Sequence, residues 1–300
     1  MTADVAPAAS EVSVIVPAWR AAATIPRALA SVAAQTAPPG EVVVVDDGSD
    51  DATLAAARAW DGRLGGVALR VVAQDHRGAG AARNRAMAEA SGRIFAFLDA
   101  DDEWLPDKLA RSLPHLADPD IAFAAHDMIV SDGAAEATVD CARHFPGDAG
   151  AFAALFRRGF AATSTVLARR EAIEAAGGFD DTLLSGQDYE LWLRIAGNAR
   201  WRFVVFPGAL TRYHVTAGGI TSHVERRRRA ALIIAHRHLA TLGARDPSAL
   251  RTALARGAII AYEAASAHAR AGRWSDAASS CLALPGDLVR LAAEFDSGRR

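Results

Sequence analysis

Cysteine, net charge and long apolar runs are all scarce in this sequence. The two cysteines, Cys141 and Cys281, lie far apart and form neither a metal-binding spacing nor a disulfide framework. No uninterrupted apolar stretch is long enough to span a bilayer. The formal net charge is -2, and the one dense basic run is Arg226–Arg229, which argues against nucleic-acid binding. Together these absences predict a soluble, cytoplasmic protein.

The N-terminus does not have the pattern expected of a secretory signal. Residues 1–10 are rich in alanine and proline and carry Asp4, whereas a secretory signal places basic residues before a long apolar core. We expect this segment to be disordered and the folded domain to begin at residue 11.

Apolar residues are abundant, at 51% of the sequence, and they follow a regular alternation. Short runs rich in valine and isoleucine predict buried strands, and the alanine-rich segments between them predict helices. The predicted strands are Val12–Val16, Val42–Val45, Val67–Val72 and Ile94–Leu98, and the predicted helices are Ile25–Gln35, Ala52–Trp60 and Ala81–Ala90. This alternation predicts an α/β fold, Rossmann-like, with a mostly parallel central sheet flanked by helices.

The remainder of the chain is less regular. The predicted helices are Pro106–Leu116, Arg170–Ala176 and Gln187–Ala196, the predicted strands are Ile121–Ala125, Thr163–Ala168 and Trp201–Val205, and residues 131–150 are a predicted loop. From His223 onward the pattern is wholly helical, with predicted breaks near Gly243, Pro247, Gly272 and Pro285. We therefore predict one domain at 11–222 and a helical C-terminal extension at 223–300.

An aromatic or acidic segment follows three of the predicted strands where each strand ends. These segments are Pro17-Ala18-Trp19, Asp46-Asp47-Gly48-Ser49 and Asp99-Ala100-Asp101-Asp102. In an open α/β sheet, ligands bind beyond the carboxyl ends of the strands. We therefore expect the three segments to converge on one crevice.

An ordered set of motifs runs through residues 11–222. They are Val12-Ser-Val-Ile-Val-Pro-Ala-Trp, Val44-Val-Asp-Asp-Gly-Ser-Asp-Asp, Gly80-Ala-Ala-Arg-Asn-Arg-Ala, Phe97-Leu-Asp-Ala-Asp-Asp-Glu-Trp, Gly177-Gly-Phe-Asp, Gln187-Asp-Tyr-Glu-Leu-Trp-Leu-Arg and Arg212-Tyr-His. In this order and spacing they resemble the family 2 glycosyltransferases, which have a GT-A fold. The resemblance implies inverting transfer of a sugar from a nucleoside-diphosphate sugar, typically UDP-linked, with Mg2+ or Mn2+. The implied acceptor is a hydroxyl of a growing surface glycan, a lipid-linked sugar or a small molecule.

The aspartates after the fourth strand are the first predicted chemical centre. Departure of the sugar leaves extra negative charge on the diphosphate, and a hard cation held by carboxylates can offset that charge. By resemblance, Asp99, Ala100 and Asp101 contact the nucleotide sugar, and Asp101 or Asp102 is the closest metal ligand. The alternative is a solvated acidic turn that caps a helix near Trp104.

The predicted base-binding residues lie after the first two strands. By resemblance, Asp47 accepts a hydrogen bond from the nucleobase; the alternative is a turn in which Asp50 caps the next helix. The residues expected to form a wall beside the base are Pro17, Ala18 and Trp19. Trp19 could equally be a partly buried aromatic, and Arg20 stands where the family commonly has asparagine.

Arg83 is the predicted cation at the nucleotide, because a guanidinium presents a planar fork of donors to phosphate or carbonyl oxygens. Arg85 is the competing residue. A surface salt bridge on a helix is the alternative function for Arg83.

Asp188 is the second predicted chemical centre. Inverting transfer needs a base that removes the proton of the acceptor hydroxyl as its oxygen attacks the anomeric carbon. The family usually has Glu-Asp here, whereas this chain has Gln187-Asp188 and so keeps the acid expected to be the base. The alternative is an aspartate that caps the helix.

Three further features complete the prediction. By resemblance, His214 lies near the diphosphate or the metal, either as a ligand or as a structural histidine. Gly218 and Gly219 could let a segment close over the donor. The arginine run begins a helix that either packs on the domain from solvent or docks on anionic lipid through Leu232, Ile233 and Ile234.

Two other functions compete with glycosyl transfer. A sugar-phosphate nucleotidylyltransferase would need a glycine-rich phosphate loop after the first strand, where this chain has Pro17-Ala18-Trp19-Arg20. A non-catalytic nucleotide- or glycan-binding protein could keep the fold, and Gln187 favours it. The retained Asp188 and the aspartate cluster argue against it.

Overall fold

The computed structural model describes residues 5–215 and 223–297. The strands are β1 (Val12–Ala18), β2 (Glu41–Asp47), β3 (Ala68–Gln74), β4 (Ile94–Phe97), β5 (Glu103–Trp104), β6 (Ile121–Ser131), β7 (Glu136–Val139), β8 (Leu167–Arg169) and β9 (Arg202–His214). The helices are α1 (Ile25–Ala33), α2 (Thr53–Arg58), α3 (Ala79–Glu89), α4 (Lys108–Ser112), α5 (Ala151–Arg158), α6 (Arg170–Ala175), α7 (Gln187–Gly197), α8 (Val224–Arg237), α9 (Leu239–Arg245), α10 (Ala249–Arg270) and α11 (Trp274–Ser297).

The first four strands form the parallel half of a single sheet, in the order β3-β2-β1-β4. The continuous apolar runs of β1, β2 and β4 suit burial on both faces, and every residue of β1 is buried. The edge strand β3 is only partly buried, so the prediction of a buried strand there is wrong. Ile15 pairs with Val43 on one side and with Phe97 on the other. The carboxyl ends of these strands therefore meet at one edge of the sheet, as the sequence predicts.

Beyond β4 the sheet is mixed. β8 pairs antiparallel with β4 and β6, while β9 runs parallel to β6 and antiparallel to β5. β7 forms an antiparallel pair with β6 at the margin of the sheet. The α/β class with flanking helices is confirmed. The long β6 and β9 carry the chain back to the same edge as the aspartate cluster.

Several element predictions in the middle of the chain are wrong. The predicted loop at 131–150 contains β7, and the helix α5 that follows it was not predicted. The predicted strand at Thr163–Ala168 begins as a short 3-10 turn, Thr163–Thr165, before β8. In each case tertiary pairing decides the local conformation, which short apolar segments leave ambiguous.

Two predicted breaks in the C-terminal helices are also wrong. Helix α9 continues through Gly243, where a Cβ would lie 3.3 Å from the Phe295 ring, so the glycine permits close packing. Pro285 lies inside α11 on its exposed side, where water can satisfy the carbonyl that the proline leaves without a partner.

The apolar core lies in two clusters on the two faces of the sheet. One contains Val14 and Val16 with α1, and the other contains Ile15 and Phe97 with α3 and α7. We call α8–α11 the helical tail. Eight of its buried residues join the second cluster: Ile234, Ala235, Leu239, Leu242, Ala249, Ala253, Leu291 and Phe295. The helical extension therefore packs on the sheet-containing part rather than standing apart from it.

Within the described residues, no helix combines the length and the apolar character needed to cross a membrane.

Candidate active site

The aspartate turn, Asp99–Asp102, follows β4 at the edge where the strands end. The backbone N–H of Asp99 donates to Ser164 Oγ at 3.0 Å, and Ser164 Oγ donates to Asp102 Oδ2 at 2.5 Å. The backbone N–H of His214 donates to Asp102 Oδ1 at 3.2 Å. The turn is followed by the short strand β5, so the alternative in which it caps a helix is wrong.

Asp102 is the most buried member of the turn, with 1% of its surface exposed. Burial, followed by the negative charges of Asp99 and Asp101, raises the pKa of Asp102 well above its usual value. The hydrogen bonds from Ser164 and His214 only partly oppose this effect. The turn therefore concentrates more negative charge than its hydrogen bonds can stabilise.

Arg83 is the cation that balances this turn. It projects from α3, is 5% exposed, and donates to Asp99 Oδ1 at 2.5 Å. Burial alone would lower the pKa of its guanidinium, but the charges of Asp99, Asp188 and Asp101 raise it instead. Arg85, the competing residue, makes the surface salt bridge, with Glu89 at 2.8 Å. Arg83 thus lies near the carboxylates of both predicted chemical centres.

Asp188 lies in the first turn of α7, partly buried and beside the aspartate turn. Its Oδ2 accepts a hydrogen bond from Thr163 Oγ1 at 2.7 Å, and its Oδ1 accepts one from the N–H of Tyr189 at 2.8 Å. Gly186 occupies the capping position, with φ of 72°. Asp188 is therefore not the residue that caps this helix.

The 3-10 turn Thr163–Thr165 links the two centres. Thr163 holds Asp188 while its neighbour Ser164 holds Asp102. The backbone carbonyl of Ser164 accepts bonds from Trp104 Nε1 and Thr211 Oγ1, both at 2.9 Å, so the turn is fixed from two further strands. Sequence reasoning missed these hydroxyl residues because it assigned the segment to a strand.

Asp47 organises the loop that follows β3. Its carboxylate accepts hydrogen bonds from Gln74 Nε2 at 2.7 Å and from the backbone N–H groups of Arg77 and Gly78 at 2.9 and 2.7 Å. His76 Nδ1 lies 2.9 Å from the same carboxylate. Asp47 thus holds the chain at the ends of β2 and β3, whether or not it also contacts a base.

Trp19 and His76 form an aromatic shelf at the same edge. Their ring centroids are 4.9 Å apart, and Trp19 is 46% exposed. Pro17 and Ala18 lie behind it, buried in β1. Arg20 has φ of 49° and makes a paired contact with Asp50, at 2.7 and 2.6 Å.

The prediction that Asp50 caps the next helix is wrong. Asp50 is bound by Arg20, whereas Asp51 accepts from the N–H and the hydroxyl of Thr53 at 3.0 and 2.5 Å. Sequence reasoning also missed His76, although a polar segment after the third predicted strand was a signal of the same kind as those after the other strands.

The donor set at the aspartate turn fits a hard divalent cation that takes most of its ligands from elsewhere. Among residues 5–215 and 223–297, no three His, Cys, Asp or Glu side chains are arranged to hold a metal by themselves. Mg2+ is commonly held by one or two carboxylates together with substrate phosphates and water. The aspartate turn supplies carboxylates of this kind, and a cation held there would offset the negative charge that burial disfavours at Asp102. His214 Nε2 lies 3.5 Å from Glu103 Oε2 and is buried without a hydrogen bond. The role of His214 as a metal ligand stays a prediction.

The predicted hinge at Gly218 and Gly219 lies outside the described residues. The other predicted site residues lie at one edge of the sheet, in two groups. The first group lies around the Thr163–Thr165 turn and contains Asp99, Ala100, Asp101, Asp102, Arg83, Asp188 and His214. The second group, Pro17, Ala18, Trp19 and Asp47, lies at the ends of β1 and β2.

Comparison with known families agrees with this geometry. The sequence pattern of the family described as Glycosyl transferase family 2 matches residues 13–177, which is more than half of the chain. This chain belongs to glycosyl transferase family 2. The matched segment contains the aspartate turn and Arg83, while α7 with Asp188 follows directly after it.

A curated relative of this family 2 member is the succinoglycan biosynthesis protein ExoU of Rhizobium meliloti. The two are 35% identical over 216 residues, which is 66% of this chain and 61% of ExoU. This chain thus spans about three fifths of the length of that relative.

Two solved structures share the fold. The mannosyltransferase PcManGT from Pyrobaculum calidifontis, in complex with GDP-Man and Mn2+, has a TM-score of 0.65 at 24% identity and covers 100% of this chain and 83% of its own. Residues 1–349 of S. aureus TarS, in complex with UDP-GlcNAc, have a TM-score of 0.67 at 19% identity and cover 96% of this chain and 88% of that one. These similarities confirm the predicted GT-A fold of this family 2 member.

Proposed function

We propose that this protein is an inverting, metal-dependent glycosyltransferase that moves a sugar from a nucleoside-diphosphate sugar to an acceptor hydroxyl. The observation that carries the proposal is the placement of Asp188 beside the aspartate turn, with Arg83 near both centres and Thr163 and Ser164 holding one carboxylate each. Two carboxylate centres at one sheet edge suit a reaction that handles a diphosphate and deprotonates an alcohol.

Asp188 acts as the base in this proposal. Its Oδ2 is oriented by the Thr163 hydroxyl, which fixes the carboxylate without neutralising it. The oxygen of the acceptor attacks the anomeric carbon as its proton passes to Asp188. Attack from the face opposite the diphosphate inverts the configuration at that carbon.

Asp101 and Asp102 would hold Mg2+ or Mn2+, with His214 as a further candidate ligand and the remaining positions filled by the diphosphate and water. When bound, the cation would offset the negative charge that develops on the departing diphosphate. Arg83 adds a fixed positive charge beside Asp99. Asp99 and Ala100 then line the position of the donor sugar and ribose.

The donor base lies on the shelf of Trp19 and His76, bounded by Pro17, Ala18 and Asp47. We propose a UDP-linked donor, in keeping with UDP-GlcNAc in the TarS complex. The competing donor class is GDP-linked, as in the GDP-Man complex of PcManGT. The name of ExoU supports a role in surface polysaccharide synthesis. We expect the reaction to take place in the cytoplasm, on a glycan, lipid-linked or small-molecule acceptor.

Asp188→Asn tests the assignment of the base. It keeps the size of the side chain but removes the basic oxygen, so we expect transfer to fall by about a hundredfold to ten-thousandfold, the usual contribution of a general base. Donor affinity, measured separately by calorimetry, should remain within about twofold. Asp181→Asn, an exposed aspartate on the preceding loop, is the matched control and should retain activity.

A thermal-shift screen of UDP- and GDP-sugars, with and without Mn2+, tests the donor and the metal. Ligand that binds only the folded state raises the melting temperature by mass action. We expect a metal-dependent shift with one nucleotide class and a smaller one in Asp101→Asn. If no nucleotide diphosphate binds when metal is supplied, the proposed function is wrong. If donor binds but Asp188→Asn transfers sugar as fast as wild type, the base has been misassigned.

A further inference from the structure

A cavity of about 210 Å³ lies where the helical tail meets the sheet-containing part. Its wall combines the end of α5, the start of α7 and the facing sides of α8 and α10. None of the residues that line it is among the predicted donor or metal residues. The cavity is therefore a separate feature from the crevice at the strand ends.

The wall of this cavity is strongly basic. Four arginines line it, against Glu263 as the single acid in the lining: Arg158, Arg227, Arg228 and Arg256. Arg228 is neutralised in part by Asp287 and Glu225 from the tail itself. Within the described ranges, Arg158 has no ion-pair partner, so its charge is available to a ligand.

Arg256 is the most informative of the four. Its residue is 5% exposed, yet its Nε has no hydrogen-bond partner. The guanidinium packs over the Tyr189 ring at 5.0 Å, interacts with the Tyr189 hydroxyl, and donates to the carbonyl of Arg157 at 3.5 Å. A buried charge with an unsatisfied donor is costly unless an acceptor completes it. An anion in the cavity would supply this acceptor together with a negative charge that balances the guanidinium.

The start of α7 adds a second contribution to the same cavity. Ser185 and Gly186 lie in the wall directly before this helix of 11 residues. Tyr189 already donates its N–H to Asp188 Oδ1, so the N–H groups of Gln187 and Asp188 are the ones left for an anion, and the helix dipole favours negative charge there. Asp188 lies in this same first turn, between the lining residues Gly186 and Tyr189, so the cavity adjoins the helix turn that carries the proposed base.

The remaining wall is apolar and comes mainly from the tail, with Val224, Ala230, Ala231, Ile234, Ile260 and Ala264. The cavity thus suits an anionic group attached to a less polar portion, rather than an isolated ion. Because it lies beside the base and away from the donor crevice, its ligand belongs to the acceptor side of the reaction.

We propose that this cavity binds a phosphate or diphosphate group carried by the acceptor, so that a hydroxyl of the attached sugar reaches Asp188. Arg158 and Arg256 supply the charge-assisted hydrogen bonds, and the start of α7 supplies backbone donors. The role as an acceptor subsite rests on the proposed glycosyl transfer, whereas binding of the anion itself does not.

Inorganic pyrophosphate is the first probe, used in metal-free buffer with EDTA so that metal-dependent binding at the donor crevice does not contribute to the signal. We expect wild type to bind it, and Arg158→Gln and Arg256→Met to weaken binding by about tenfold to a hundredfold, the effect of losing a charge-assisted hydrogen bond. Arg157→Gln and Arg251→Met are matched controls on the same two helices and should bind as wild type does. Arg158 is exposed, so its variant reports on the site even if Arg256→Met folds poorly.

Farnesyl diphosphate, compared with pyrophosphate, distinguishes the sources of the anion. Tighter arginine-dependent binding of farnesyl diphosphate indicates a lipid-linked acceptor, and equal binding indicates a small phosphorylated acceptor. Absence of pyrophosphate binding to wild type, or equal binding by Arg158→Gln and Arg157→Gln, overturns the proposal.

The two hypotheses fail separately. If pyrophosphate binds through Arg158 but Asp188→Asn transfers sugar normally, the assigned base fails and the anion site stands. If donor binds and Asp188→Asn is inactive but the arginine variants bind pyrophosphate normally, the anion site fails and the proposed function stands.

Discussion

At the scale of single residues, the site depends on hydroxyl groups that orient carboxylates. Thr163 and Ser164 are adjacent in the chain, yet one holds Asp188 and the other holds Asp102. Adjacent side chains in a tight turn diverge, so a single short segment can position two centres. The same turn accepts bonds from Trp104 and Thr211, which limits its freedom to move.

Removing the hydroxyl of Thr163 should impair catalysis without impairing donor binding. In Thr163→Val, Asp188 loses the 2.7 Å bond that orients its Oδ2 and can rotate away from the acceptor. We expect kcat to fall by about tenfold or more while the donor Kd changes little. Thr163→Ser should restore most of the rate. Thr165→Val, which removes a hydroxyl bound to the carbonyl of Ala162, is the control; an equal loss of rate there would indicate general damage to the turn.

A second residue-scale feature is Lys108, the only lysine in the sequence, which is fully buried. Burial lowers its pKa well below the usual 10.5, and its amine lies 4.0 Å from the Trp104 ring centre without a hydrogen bond. The unfolded chain holds the proton more tightly than the folded one. Above pH 10.5 the amine is neutral in both states, and its burial costs the folded state no charge. As pH falls from 10.5 through the lower pKa of the folded state, the folded protein loses stability relative to the unfolded chain.

Lys108→Met should accordingly stabilise the protein at neutral pH. Methionine keeps the apolar stem and removes the buried amine, so we expect a gain on the order of 1 kcal/mol or more in the free energy of unfolding. The gain should shrink as pH rises towards 10.5. Urea unfolding at several pH values measures it, with Arg111→Met on the exposed side of α4 as control. A loss of stability at neutral pH would contradict this account.

At the scale of elements, the loop before α7 is fixed by reciprocal bonds to α3. Asn84 donates to the carbonyl of Phe179 at 2.8 Å and accepts from its N–H at 2.9 Å. Gly178 has φ of 74°, and a Cβ there would lie 2.8 Å from Asn84 Oδ1. These contacts tie the helix that carries Arg83 to the segment that leads to Asp188.

Gly177→Ala and Gly178→Ala form a matched pair that measures this contact. Both glycines have positive φ, so each alanine costs about 1–2 kcal/mol of backbone strain. At Gly177 the nearest atom to the new Cβ lies 3.8 Å away, so strain is the main cost. Gly178→Ala should cost at least about 1 kcal/mol more because it displaces Asn84. Equal unfolding free energies for the two variants would show that the Asn84 contact is dispensable.

At the scale of the whole molecule, the helical tail completes the core beside α5 and α7. Ile234 is fully buried against Gly186, and Arg237 pairs with Asp180 at 2.6 Å. Burial of Ile234 removes it from any lipid-facing surface, whereas Ile233 is 47% exposed. The boundary at residue 222 stays a prediction from sequence, but the tail shares an apolar cluster with the sheet.

A chain that ends at residue 222 should therefore be much less stable than the full chain. It would expose the partners of Ile234, Leu242, Leu291 and Phe295, whose burial contributes on the order of 5 kcal/mol or more together. We expect a lower melting temperature and binding of a hydrophobic dye, measured by scanning calorimetry and fluorescence. Removal of residues 1–7 is the control and should change neither. If the fragment melts at the same temperature as the full chain, the helical tail packs on the sheet-containing part without stabilising it.

The local sequence determined the strands and helices of the first hundred residues, because buried strands and alanine-rich helices differ in apolar pattern. It also determined which acids end β2 and which follow β4, since strand order along the chain places these strand ends at one edge. Sequence could not assign Thr163 and Ser164, the bond between Arg83 and Asp99, or the arginine-lined cavity. Each of these joins residues far apart in the chain, and only long-range packing decides which distant groups meet and which charge stays buried without a partner.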